Sequence, residues 1–147
     1  CGVYRVRATG EVELLTGELS RPNGLAFSPD GRWLYVSNSD PARAIWMRYA
    51  VAEDGSLGAG EVFCDATAEA GRGPGLPDGL KVDEAGRIFA TGPGGVWVLD
   101  AAGRRLGLIA SGEATANCAW GGDGSVLYLC ADMYLARIQT RTRGRLP

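Results

Sequence analysis

Three short polar residues stand where apolar strands begin. Asn23 leads into PNGLAFSPDGRWLYVS, Asp78 into PDGLKVDEAGRIFAT and Asn117 into ANCAWGGDGSVLYLC. Together they offer one carboxylate and two amide oxygens, the hard donors that a divalent cation such as calcium or magnesium takes along with water. They would form a metal site only if the fold gathers them at one point. A plainer reading is available: Asn or Asp before Gly makes turns by bonding its own backbone two residues on, and three repeated turns would each use one. Spacing alone leaves both readings open.

The usual nucleophile chemistries have no partners here. These 147 residues contain no histidine, so Ser-His and Cys-His pairs and the common proton shuttle are excluded within them. The four cysteines, Cys1, Cys64, Cys118 and Cys130, show no CxxC spacing and no zinc pattern. Cys64 and Cys130 lie in strand-like runs and are expected as small buried hydrophobes, not as a disulfide. The glycine-rich run Gly71 to Pro77 lacks the Lys-Ser/Thr pair and following helix of a phosphate cradle, so it reads as a loop at a channel edge, bordering a pocket.

The elements that must position Asn23, Asp78 and Asn117 form a repeat. Each unit has a small polar residue, a short apolar strand, an Asp/Gly-rich turn and a second strand. The separations of 55 and 39 residues bracket one four-stranded propeller blade. Further strands are expected at Ala44 to Val51, in GEVFCD, in GGVWVLD and in RRLGLIAS, with a turn over Asp100 to Gly103. GVYRVR and EVELLTG, hinged at Ala8 to Gly10, read as the last two strands of a preceding blade, and DMYLARIQTRTRG ends the final unit. Alternation is plain in Tyr4-Arg5-Val6-Arg7 and Leu135-Ala136-Arg137-Ile138. Ala66 to Ala70 has room for a single helical turn. The fold class is all-β, one partial propeller over 1–147 with about three and a half blades. Propellers close with about four to eight blades, so N-terminal blades are expected beyond this stretch.

In such a ring the first strand of each blade lines the channel. Asn23, Asp78 and Asn117 would then face one another across one mouth. Trp33, Trp46, Trp97 and Trp120 fall at strand positions and are expected to pack between blades. Asp40, Glu69 and Asp132 read as surface acids.

Composition bounds the partners. With 46% hydrophobic and 22% charged residues the chain has globular usage, and 23 glycines suit many tight turns. Net charge is -2, which offers no field for nucleic acid, and the basic tail RTRGRLP reads as a solvated end. No apolar run approaches the roughly 18 residues of a membrane-spanning helix, so neither nucleic acid nor membrane is an expected partner.

PNGLAFSPD, PDGLKVD and TANCAWGGDG, in that order, make the chain closely resemble the C-terminal half of the gluconolactonase and regucalcin family, also called the senescence marker protein family. CGVYRVRATGEVELLTGEL looks like that family's GVYR segment, so the likeness covers nearly the whole chain. The resemblance implies a six-bladed propeller with one divalent metal at the channel mouth, and a hydrolase opening sugar lactones. It places metal ligands at Asn23 and Asp78, gives Asp78 the further role of general base, and puts Asn38 and Asn117 near the pocket. A metal-binding glutamate and sugar-contacting residues belong to N-terminal blades that this stretch does not contain, so its own site is expected to be incomplete. The metal, whether calcium, zinc, magnesium or manganese, is not chosen by oxygen ligands. A non-enzymatic propeller that binds a metal or small ligand at the mouth is the alternative. Oligomeric state is open, including two arcs closing on each other, and so is the choice between cytoplasm and periplasm.

Overall fold

The computed structural model describes residues 1–146; Pro147, the last residue of the basic tail and of the domain expected over 1–147, lies outside the described residues. Among the described residues there are thirteen strands and no α-helix. β1 (Val3–Val6) and β2 (Val12–Thr16) form a hairpin. β3 (Pro22–Phe27), β4 (Trp33–Asp40), β5 (Arg43–Ala50) and β6 (Glu61–Asp65) follow as one antiparallel sheet in sequence order. β7 (Leu80–Val82), β8 (Ile88–Gly92), β9 (Gly95–Leu99) and β10 (Arg105–Ala110) form a second. β11 (Thr115–Gly121), β12 (Val126–Ala131) and β13 (Tyr134–Gln139) form a third with three strands. The expected half blade and its successors are all present, and the expected single turn closes with Ala70 N–H donating to Ala66 O at 3.1 Å.

The meander follows from its turns. In Asp83-Glu84-Ala85-Gly86-Arg87 the Asp83 carboxylate accepts from the amides of Ala85 and Arg87 at 3.0 and 2.8 Å, and pairs with the Arg87 guanidinium at 2.7 Å. Asp100 repeats this with Ala102, Arg104 and the Arg104 side chain. Gly86 and Gly103 supply the left-handed backbone each turn needs, at φ of 79° and 83°.

The core lies between sheets, not inside them. Tyr35, Trp46 and Phe63 pack against Leu80, Ile88, Trp97 and Leu99 of the next sheet, with the Trp46 and Trp97 rings 5.3 Å apart. Phe89 and Val96 meet Cys118, Trp120, Leu127 and Leu129 in the same way, Phe89 and Trp120 edge to face at 5.0 Å. Val3 and Leu19 close the first sheet's other side against Leu34, Val36, Ile45, Met47 and Tyr49. Removing a ring such as Trp46 leaves a cavity that costs about 3–5 kcal/mol. This sheet-on-sheet stacking is what seats the inner strands β3, β7 and β11 side by side.

The cysteines depart from expectation in one place. All four thiols are free, but Cys130 is exposed and Cys64 half-buried, whereas Cys118 is the buried one. Strand alternation explains the difference: β12 turns Leu127 and Leu129 inward to the neighbouring sheet, which leaves Cys130 on the opposite face.

Candidate functional site

Asn23 stands on a β-bulge. Pro22 pairs with Asn38 and Leu25 with Val36, so Asn23 and Gly24 together oppose Ser37. A bulge leaves a backbone donor without its ladder partner, and Pro22 has no donor to lose. Here the Gly24 N–H donates to Ser37 Oγ at 2.7 Å, and the Ser37 hydroxyl donates onward to the Asp78 carbonyl at 2.7 Å. One buried serine thus ties the inner strand of one sheet to that of the next.

The strands approach too closely for side chains at this level. A methyl group on Gly24 would strike the carbonyl oxygen of Asp78, and one on Gly79 would strike the Asn117 amide. The Gly following Asn23 and the Gly following Asp78 are therefore there for room, and neither has a positive φ. Gly79 N–H also donates to Ala116 O at 2.9 Å, Ala116 being the extra residue of a second bulge between Thr115 and Asn117. Thr91 completes the lattice by donating to Gly79 O at 2.9 Å.

These constraints bring Asn23 and Asp78 onto one hollow of about 560 Å³, whose other walls are Ser39, Pro41, the Gly71 to Leu76 loop and Ala114 to Ala116. The glycine-rich loop is thus a pocket edge, as its sequence suggests. Burial pushes the half-buried Asp78 carboxyl above the ordinary carboxylate range, opposed by hydrogen bonds from the Gly79 amide and the Asn23 side chain. Asn23 Nδ2 also donates to Ser39 Oγ at 3.1 Å, and Ser39 Oγ donates to the Pro77 carbonyl.

The other two asparagines are placed differently. Asn38 is fully buried; its Oδ1 accepts from the Arg21 amide at 2.7 Å and its Nδ2 donates to Arg43 O at 2.9 Å. It anchors the approach to β3 from beneath and does not line the hollow. Asn117 packs beside Gly79, but its Oδ1 accepts from the Cys118 amide at 2.9 Å and it lines a separate depression with Lys81, Tyr128 and Cys130. Ser37 and Ser39 are the residues that sequence reasoning passed over. Their signal was the Ser-Asn-Ser run closing an otherwise apolar strand.

Among the described residues no cluster of three or more His, Cys, Asp or Glu side chains gathers anywhere. On the hollow the donors are one carboxylate and one amide oxygen, both hard, with the carboxylate partly withdrawn from water. Such a pair fits one flank of a divalent-cation site and leaves the remaining ligands to water or other chain segments.

Residues 1–131 match the model of the SMP-30/Gluconolactonase/LRE-like region. The chain belongs to this family. A gluconolactonase of Zymomonas mobilis subsp. mobilis is 39% identical over 148 residues, covering 97% of this chain and 41% of the relative. The gluconolactonase structure from Xanthomonas campestris superposes with a TM-score of 0.81 at 31% identity, over 94% of this chain and 44% of that one. A regucalcin described as a calcium-binding protein, from Agrobacterium tumefaciens, gives 0.79 at 27%, over 98% and 54%. The chain therefore spans about half the length of these relatives or less. Its sheets are part of the six-bladed propeller type those structures share. Its relatives include lactone hydrolases.

Proposed function

We propose that the protein carrying this chain is a metal-dependent hydrolase that opens a sugar lactone, with Asn23 and Asp78 as two ligands of one divalent cation. The observation that carries the reading is the meeting of one amide oxygen and one half-buried carboxylate on a single hollow, in a chain whose relatives are lactonases. When bound, the cation would polarise the lactone carbonyl and stabilise the oxyanion that develops there.

The chain's own groups supply the rest. Asp78 accepts the proton of the water that adds to the carbonyl carbon. As the ring C–O bond breaks, the same carboxyl returns that proton to the leaving ring oxygen, and the product is the hydroxy acid. Asn23 contributes a neutral oxygen, which keeps the charge around the reacting carbonyl less negative than a second carboxylate would. The Gly71 to Leu76 loop and Ala114 to Ala116 wall the hollow with small and apolar groups that limit water around the reacting bond.

The test is gluconolactone turnover by the whole protein, assayed before and after chelation and with Asp78→Ala. Turnover that chelation abolishes and divalent ions restore, and that falls by about 10²- to 10⁴-fold in Asp78→Ala, is expected. The calcium-binding description of the regucalcin neighbour favours a second reading, a propeller that holds a cation without hydrolysis. Cation binding with no turnover of any sugar lactone would decide for it.

A further inference from the structure

We propose that Ser39 is a positioning residue that sets which atom of Asn23 faces the hollow; this rests on the metal-site reading of Asn23 and Asp78. A carboxamide has two ends of similar size and opposite hydrogen-bonding character, and only the oxygen end can ligate a cation. Something must fix the flip.

Ser39 has one hydroxyl proton, and it goes to the Pro77 carbonyl in the loop that leads into β7. With that proton committed, Ser39 Oγ presents only lone pairs to Asn23. It accepts from Asn23 Nδ2 at 3.1 Å. An acceptor therefore claims the nitrogen end, and the reversed amide would set its oxygen against the lone pairs of Ser39 Oγ. Oδ1 is left as the end without a hydrogen bond among the described residues.

The same hydroxyl couples the two halves of the site. Pro77 precedes Asp78 in the chain, so the bond from Ser39 to Pro77 O holds the backbone carrying the carboxylate at the level of the amide. Ser37, two residues earlier on β4 and on the same face, ties Gly24 N–H to Asp78 O one step deeper. Ser37 repairs the bulge by taking the Gly24 N–H. Ser39 differs because its partner is a side chain on the hollow, so its loss acts on orientation more than on the strand ladder.

Removing the hydroxyl should weaken cation binding while leaving the fold in place. The experiment is calorimetric titration of the metal-stripped whole protein with calcium, manganese and zinc, alongside thermal unfolding. It compares wild type, Asp78→Ala, Ser39→Ala, and the isosteric pair Ser39→Thr and Ser39→Val, which differ only in the hydroxyl. Ser39→Ala and Ser39→Val should bind about 10-fold more weakly, the low end for residues that orient metal ligands. Ser39→Thr should stay within about 2-fold of wild type, since its hydroxyl keeps both bonds. Equal affinity of the Thr and Val variants overturns the proposal, as does a folded Ser39→Thr with the same loss as Ser39→Ala. Should Ser39→Ala fail to fold, the Thr and Val pair still decides. Wild type binding no divalent cation sinks the metal-site reading and this proposal with it. Binding lost in Asp78→Ala but untouched in Ser39→Ala and Ser39→Val sinks this proposal alone.

Discussion

Gly24→Ala places a methyl group where two inner strands touch. Its carbon would lie 2.8 Å from Gly79 Cα and 2.9 Å from the Asp78 carbonyl carbon, and nearer still to that carbonyl's oxygen. All three are backbone atoms, so no flexible side chain can give way. To restore ordinary contact, the backbone at Asp78 and Gly79 must retreat from β3 by about 1 Å or more. Such overpacking costs about 2–3 kcal/mol, close to the upper end for an added methylene, and lowers Tm by about 4–12 °C in a protein of this size class. It also draws the Asp78 carbonyl away from Ser37 Oγ and separates the Asn23 amide from the Asp78 carboxylate. Since about 1 Å of misplacement costs about 10²-fold in rate, a shift of this size should remove at least about 10-fold of lactone turnover. Gly107→Ala is the control: a methyl there meets nothing within 4 Å, and its φ is not positive. It should leave Tm unchanged or raise it slightly. Scanning calorimetry and initial-rate assays on the two variants give the answer. A Gly24→Ala protein with wild-type Tm and wild-type turnover refutes the close approach of the inner strands and the coupling drawn from it.

Other outcomes follow from the same structure. Burial raises the Asp78 pKa in the fold, so its ionised form opposes folding at neutral pH and that opposition fades as pH drops through the folded value; at pH 7 Asp78→Asn should raise the Tm of the metal-stripped protein and remove lactone turnover from the metal-loaded one. Exposed Cys1 and Cys130 should react first with an aromatic disulfide reagent; Cys118, its thiol pushed up to about 12 by burial, should react only on unfolding, as peptide mapping would show. Hydrogen bonds from neighbouring groups hold Asp40, Asp100, Asp123 and Glu13 below the ordinary carboxylate range. Their stabilisation is whole above the unfolded value near 4 and is lost as pH falls through the folded values, so Tm should decline below about pH 4, with added salt shrinking the effect.

The strand order was legible because each strand announces itself locally. Asp-x-x-Gly-Arg turns at Asp83 and Asp100 punctuate alternating apolar runs, and the four tryptophans fall where neighbouring sheets meet. The site was half legible. Asn23 and Asp78 sit in equivalent places of a repeat, and equivalence in a radial fold becomes adjacency. Asn117 obeys the same sequence grammar, yet a one-residue bulge at Ala116 shifts its register, and its oxygen turns to the Cys118 amide. The family resemblance is what places Asn38 near the pocket. Alternation along β4 sends it to the opposite face, where it binds Arg21 and Arg43. Ser39 lies in the Ser-Asn-Ser run that closes β4, but its partner Pro77 is 38 positions away in the loop before β7, which that run does not reveal.

The claim on which the chemistry depends is that Asn23 and Asp78 share one cation. Anomalous diffraction from crystals of the whole protein grown with manganese tests it most directly. The account predicts a single strong peak bonded to Asn23 Oδ1 and to an Asp78 carboxylate oxygen, absent in Asp78→Ala. A peak elsewhere on the propeller, with these two side chains free of it, contradicts the account.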